Sequence, residues 1–412
     1  MKSGYLKILF VFIYLLIGFN AFIYGTANEK KIEWDQIDLK LSETIDWLYR
    51  EEYASADSVS QILIDRYPDS PAGYFIRAVI SMKKGFYLKN YSDYNDTTKM
   101  WLKEAISRSR KQIKTYPRDA RAHFFAGGAY GYEGAIYARE KKWIKTGLAA
   151  LRGIRYLEKA LVLDSTLYDI YFGSGLYHVV AGNQTGIVRF IQRLLPIPAG
   201  DAKLGYEHLN IAVEKGKFTQ LVAIETIAFA HIHYSKQYRK AIDILNSLLE
   251  KYPTSLEFYT MRTNSRFYYA LNHNQSEWQH LKSDLDTVRA FIKAKELDFY
   301  PWWLNKFNFM EGYFHFTEKN YTRAIFLLED YCEQYHKKNG SYLTALAYLT
   351  LGKIYDLQNK RMAAISAYKK VRKFEKMGNE KKLAEMFIET PYQGETYRTR
   401  FIGAFTDLPN RP

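Results

Sequence analysis

Small and apolar residues recur along this chain at a fixed set of increments. Tyr53, Ala56, Ser60, Leu63 and Pro68 are separated by the same steps as Tyr238, Ala241, Leu245, Leu248 and Pro253 far downstream. A small residue followed on one helical face by larger apolar ones, then by a proline that cannot continue the turn, describes the second helix of a helical hairpin. Such a hairpin cannot bury its own apolar stripe and has to stack on its neighbours. The pattern therefore predicts an all-α solenoid of antiparallel helix pairs, an architecture suited to binding.

Other copies keep the register. Tyr321, Ala324, Leu328 and Tyr331 repeat the first three increments, and Ala364, Tyr368 and Val371 follow the same rule, with Gly352 and Tyr355 in the helix before them. Weaker copies are Gly153, Leu157 and Ala160 with Ser165 in the proline position, and Ala105, Ser109, Gln112 and Pro117. In these positions the chain resembles the tetratricopeptide repeat (TPR) family, whose helix pairs recur about every 34 residues and stack into a superhelix.

Reading the pattern along the chain gives about eight helix pairs. They fall at 34–67, 71–116 with a Tyr/Asn/Asp-rich loop at 90–96, 119–164, 166–214, 218–252, 254–299, 302–338 and 341–376. No Pro/Gly/Ser-rich linker separates them, so one continuous array over 28–378 is expected, followed at 379–412 by a cap helix and a tail. The fourth pair carries an insertion near 183–200. Gly173 and Gly175 open a helix that can approach a neighbour closely, 187–195 is amphipathic but short for a repeat helix, and Asp201 is placed to cap the helix that follows. With Tyr156 to Ala160 ahead of it and Gly205 and Leu209 behind, this region resembles an exported bacterial group of TPR proteins and, more distantly, the eukaryotic inclusion-body-clearance TPR family of the mitochondrial outer membrane. The resemblance covers about 120–248; it implies a scaffold or adaptor role and supplies no catalytic residue.

Composition agrees with long helices: 412 residues, 47% hydrophobic, with 10 Pro and 24 Gly. The 36 Tyr are explained first by solenoid packing. At the N-terminus, Lys2 and Lys7 precede an apolar run at 8–24, and Gly25, Thr26 and Ala27 offer small residues before a polar stretch. This reads as a secretory signal peptide, 1–27, so the protein is expected outside the cytoplasm, periplasmic or envelope-associated. The alternative is an uncleaved anchor, the run of about 17 residues lying at the short edge for a membrane span. Cys332 is the one cysteine, which excludes an internal disulfide, and its place in an apolar row predicts a buried thiol. The net charge is +15, and +13 once Lys2 and Lys7 leave with the leader. Basic residues are dispersed, so the excess fits peripheral contact with an anionic membrane surface; nucleic acid is not expected for an exported protein.

Chemistry has little footing here. There is no phosphate loop, no Gly-x-Ser-x-Gly elbow and no His-Glu-x-x-His pair among the nine His. His231 and His233 are two apart on a helix and so diverge. The chain is accordingly read as no enzyme, with no cofactor or metal. What remains is the inner surface of the array, where polar residues interrupt the apolar rows of first helices. Candidate contacts are His123, Tyr130, Glu133 and Tyr137 in the third pair, His178 in the fourth, Glu225 in the fifth, Arg262 and Arg266 in the sixth and Glu311 in the seventh. Successive opposite charges can also simply pair with one another. The leading functional expectation is a scaffold that grips another envelope protein or peptide. The alternative is a soluble protein holding a small molecule or glycan on an aromatic wall, as starch-uptake lipoproteins with TPR cores do, although no lipobox cysteine is present.

Overall fold

Seventeen helices and no strand make up the described residues of the computed structural model, which are 34–86, 88, 91–184, 189–190, 198–272, 277–299, 301–335, 342–372 and 378–394. In chain order they are α1 (Trp34–Tyr49), α2 (Tyr53–Arg66), α3 (Pro71–Phe86), α4 (Tyr91–Thr115), α5 (Ala120–Arg139), α6 (Trp143–Leu163), α7 (Ile170–Gly182), α8 (Ala202–Lys215), α9 (Gln220–His233), α10 (Tyr238–Lys251), α11 (Leu256–Asn272), α12 (Glu277–Ala294), α13 (Pro301–Thr317), α14 (Tyr321–Tyr335), α15 (Tyr342–Leu357), α16 (Arg361–Val371) and α17 (Gly378–Glu389). Residues 37–412 form one unit and 1–36 another, of which 34–36 are described, as the opening of α1. The leader expected at 1–27, most of the insertion expected near 183–200 and the tail beyond 394 lie outside the described residues.

The helices pair in sequence from α3 with α4 through α15 with α16, and the same turn recurs between successive helices, that from α1 to α2 included. Glu51, Lys141, Lys236, Lys319 and Asn359 all take φ near +60°, and the second helix starts two residues later, at Tyr53, Trp143, Tyr238, Tyr321 and Arg361. In four of these turns the next amide reaches back five residues: Glu52 to Trp47, Lys142 to Tyr137, Asn320 to His315 and Lys360 to Tyr355, at 2.8–3.0 Å. This ends the first helix in a left-handed residue while satisfying a terminal carbonyl.

Packing follows the spacing. Ala56, Ala241, Ala324 and Ala364 are all 0% exposed. At Gly352 the approach is tighter still: a β-carbon there would lie 2.3 Å from the Tyr368 ring. One expectation fails. The loop at 90–96 is instead the start of α4, from Tyr91, which runs for 25 residues. Asp93 sits in its first turn, where the helix dipole favours a carboxylate, and α3 fastens the segment through Ser81, whose hydroxyl donates to the Tyr94 carbonyl at 3.2 Å.

Helices far apart in sequence also meet within 37–412. Asp38 of α1, 2% exposed, pairs with Arg121 of α5 at 2.5 Å and with Lys217, just before α9, at 3.0 Å. Tyr49 stacks on Phe258 of α11 at 5.8 Å, Glu51 accepts from the Glu257 amide at 3.1 Å and pairs with Lys295, and Leu88 bridges to Phe299. The first pairs are thereby clamped to the fifth and sixth.

Candidate functional site

Behind that clamp lies a cavity of about 430 Å³, walled by α1, α3, α5, α6, α7 and the start of α9. Leu41, Ile45 and Leu48 face it from α1, Phe75 and Val79 from α3, Leu176 and Val180 from α7, and Phe218 and Val222 from the α9 end. Its long wall is made by α5 and α6. The lining runs from Phe124 to Ala138 and from Trp143 to Leu157, in each case about 20 Å of helix at 1.5 Å per residue.

The local sequence explains why room is left there. α5 presents Gly127, Gly128, Gly131 and Gly134, with Ala135 and Ala138 completing the face, and α6 adds Gly147, Ala150 and Gly153. Gly127 is needed for close packing, since its β-carbon would lie 2.7 Å from Leu157. Gly131 is not: a β-carbon there would meet no atom within 4 Å. Glycine costs a helix about 0.5–1 kcal/mol relative to alanine, so a glycine that opens onto space is a cost without a packing return.

Most polar side chains on the wall are already bonded within the chain. Thr146 donates to the Lys142 carbonyl at 3.2 Å, Gln184 to that of Val180 at 2.8 Å, Tyr177 to that of Pro198, and Thr219 to Asp169 Oδ1 at 2.9 Å. At one end, Tyr49 and Lys83 belong to a buried ionic cluster. Lys83 Nζ donates to Glu225 Oε2 at 3.2 Å and to Glu257, while the Tyr49 hydroxyl donates to the same Glu225 oxygen at 3.1 Å. The three charged side chains are 12%, 17% and 21% exposed. Two carboxylates thus share one ammonium. Burial works against the charged form of Lys83, but Glu225 and Glu257 together outweigh it and hold its pKa well above the ordinary value. Burial, with Glu257 adding to it, pushes Glu225 up to about 7 against the opposing pull of Lys83. Burial also raises Tyr132, on the same wall, to about 12.

None of the nine residues singled out in the sequence lines this cavity. Glu225 stands beside it, through Lys83 and Tyr49. The face of α5 that carries His123, Tyr130, Glu133 and Tyr137 turns to α6: Tyr130 stacks on Tyr156 at 5.7 Å, His123 packs on the same ring, and the Tyr137 hydroxyl donates to Glu133 at 3.1 Å with Lys145 5.7 Å from its ring. His123 Nε2 donates to the Pro117 carbonyl at 3.1 Å, and burial lowers its pKa, so it is neutral at pH 7. His178 accepts from the Asp201 amide at 3.2 Å and secures the start of α8. Arg262 grips Asp284 with two bonds, at 2.7 and 3.0 Å, and Arg266 reaches the same carboxylate at 2.9 Å. Glu311 is held by Arg289, with Lys282 at 3.9 Å and His315 at 3.7 Å. The anion facing the two arginines is therefore the chain's own Asp284.

Sequence reasoning missed the cavity, although four glycines in one helix were a legible signal. It also missed Lys83, Glu257, Asp38 and Asp169, which carry no local signature. Asp169 is 2% exposed and accepts from the Phe218 and Thr219 amides at 2.7 and 2.9 Å, capping α9 from the start of α7. Cys332 is buried, and burial pushes its thiol up to about 12. Among the described residues no group of three or more His, Cys, Asp or Glu could hold a metal ion, and no helix is long and apolar enough to cross a membrane.

Comparison with known proteins adds one repeat assignment. A tetratricopeptide repeat model matches residues 226–255, which span the second half of α9 and all of α10 and include the spacing that starts at Tyr238. A solved tetratricopeptide repeat protein from Parabacteroides merdae is similar over 85% of this chain and 98% of that one, with 12% identity and a TM-score of 0.27. No curated protein matches the chain.

Proposed function

We propose that the protein is a non-catalytic binding protein, acting outside the cytoplasm, that holds an apolar ligand in the cavity bounded by α1, α3, α5, α6, α7 and α9. The observation that carries this reading is Gly131, a helix-interior glycine facing open space within an apolar wall. The volume falls within the range of about 300–1,000 Å³ usual for ligand pockets. An apolar lining disfavours a glycan, whose hydroxyls would each need a partner. Export is supported by the charged, apolar and small residues of 1–27 in their leader order.

N-phenyl-1-naphthylamine, a neutral probe that fluoresces in apolar surroundings, tests the site. It should bind at one site per chain, and Gly131→Phe should abolish the signal while the protein melts normally. Equal binding by both proteins would move the site elsewhere. Intact mass of the native protein should show the first 27 residues missing, and a full-length chain in cytosol would remove the export half of the reading.

A second reading is an adaptor for a polypeptide partner. It is favoured by the match at 226–255, a repeat type that mediates protein–protein contact, and by Phe326 and Met362, 62% and 81% exposed on α14 and α16.

A further inference from the structure

Within the reading of the cavity as the binding site, on which this inference rests, we propose that its occupant is a single unbranched hydrocarbon chain, the tail of a lipid, with the polar end left outside. Three observations lead there. The first is reach: α5 and α6 line the cavity over about 20 Å each, so an extended chain can lie along the helices. The second is the surface. Glycine and alanine along both helices leave a smooth wall, with few side chains projecting into the slot to recognise branches or rings.

The third observation separates a hydrocarbon from a peptide. A peptide brings one N–H and one C=O per residue, and each must find a partner once removed from water. The backbone groups of the glycine row are used up inside α5 and α6, and the polar side chains described above are bonded elsewhere. Apart from those, the lining offers the Tyr132 hydroxyl, the Trp143 indole N–H and the Gln184 amide oxygen. Three groups cannot satisfy even a short strand, whereas a methylene chain asks for none. Lys83, facing two carboxylates of its own, offers no free positive charge to a carboxylate or phosphate, so recognition falls on the chain and not on a head group.

The test is displacement of bound N-phenyl-1-naphthylamine from the full chain by a series of primary alcohols from octanol to hexadecanol, by palmitate, and by a capped hexapeptide of Leu, Ala and Val. Affinity for the alcohols should rise about fourfold per added methylene until the slot is full, and then flatten. Palmitate should compete as well as hexadecanol, and the hexapeptide should not compete. Gly131→Leu, and Gly131→Phe where the larger ring folds, should weaken the longer alcohols at least about tenfold with a melting point no lower than that of the natural protein. Competition by the hexapeptide without the alcohols overturns the hydrocarbon assignment and leaves the cavity reading standing, as does competition by palmitate alone, which would mean that the charge is read. No probe binding at all, or no effect of either Gly131 variant on alcohol affinity, overturns both.

Discussion

Lys83 of α3 and Glu225 of α9 meet at 3.2 Å across 142 residues of sequence, and Glu257 of α11 closes on the same ammonium. A repeat array makes its contacts mainly between neighbouring repeats, so this joint is what turns a stack of pairs into a walled cavity.

Lys83→Met tests the joint. It removes the cation and leaves Glu225 and Glu257 facing each other in a largely buried place, which should cost about 3–5 kcal/mol of stability. Urea unfolding followed by circular dichroism measures it. An unchanged midpoint would show that α3 does not meet α9 and α11 in solution.

The same cluster carries a pH dependence. Glu225 titrates at about 7 in the folded chain, above its ordinary value of 4.5. Between those values the folded state keeps a proton that the unfolded state has released, so this group's contribution to stability is present at the acid end and is lost as pH rises towards 7. Relative to Glu225→Gln, the natural protein should therefore become progressively less stable from pH 5 to pH 8. Melting curves of both across that range check it, and a constant difference would remove Glu225 from the account.

Two glycines should respond to alanine in opposite directions. Gly131→Ala enters open space and gains helix propensity, for a stabilisation of about 0.5–1 kcal/mol. Gly352→Ala drives a methyl into the Tyr368 ring and should overpack the last pair by about 1–3 kcal/mol. Differential scanning calorimetry of the two variants decides both, and a shared direction of change would contradict the packing described.

Arg262→Gln combined with Arg266→Gln removes both cations from Asp284, a carboxylate 2% exposed. A loss of about 3–5 kcal/mol is expected, with probe binding in the cavity retained at low temperature. If the double variant keeps its stability and loses binding, the two arginines contact ligand and the cavity is the wrong site.

The sequence by itself determined the helix pairs and their register, because the small-residue spacing at Ala56, Ala241, Ala324 and Ala364 acts between adjacent helices and is written locally. It also offered Arg262 and Arg266 as candidate contacts, open to pairing with an opposite charge. What it did not contain was the partner in each case. A helical period says which face a residue occupies; it is silent on which helix arrives opposite that face after several repeats have each added a small rotation. Asp38 with Lys217, Lys83 with Glu225, and Asp169 with the amide of Thr219 are all products of that accumulated geometry. So is the difference between Gly127, filled by Leu157, and Gly131, filled by nothing. The start of α4 was misread for the same reason: its polar residues look like a loop until Ser81 of α3 is seen bonding the Tyr94 carbonyl. Local physics set the elements, and the tertiary structure alone decided where they leave a space.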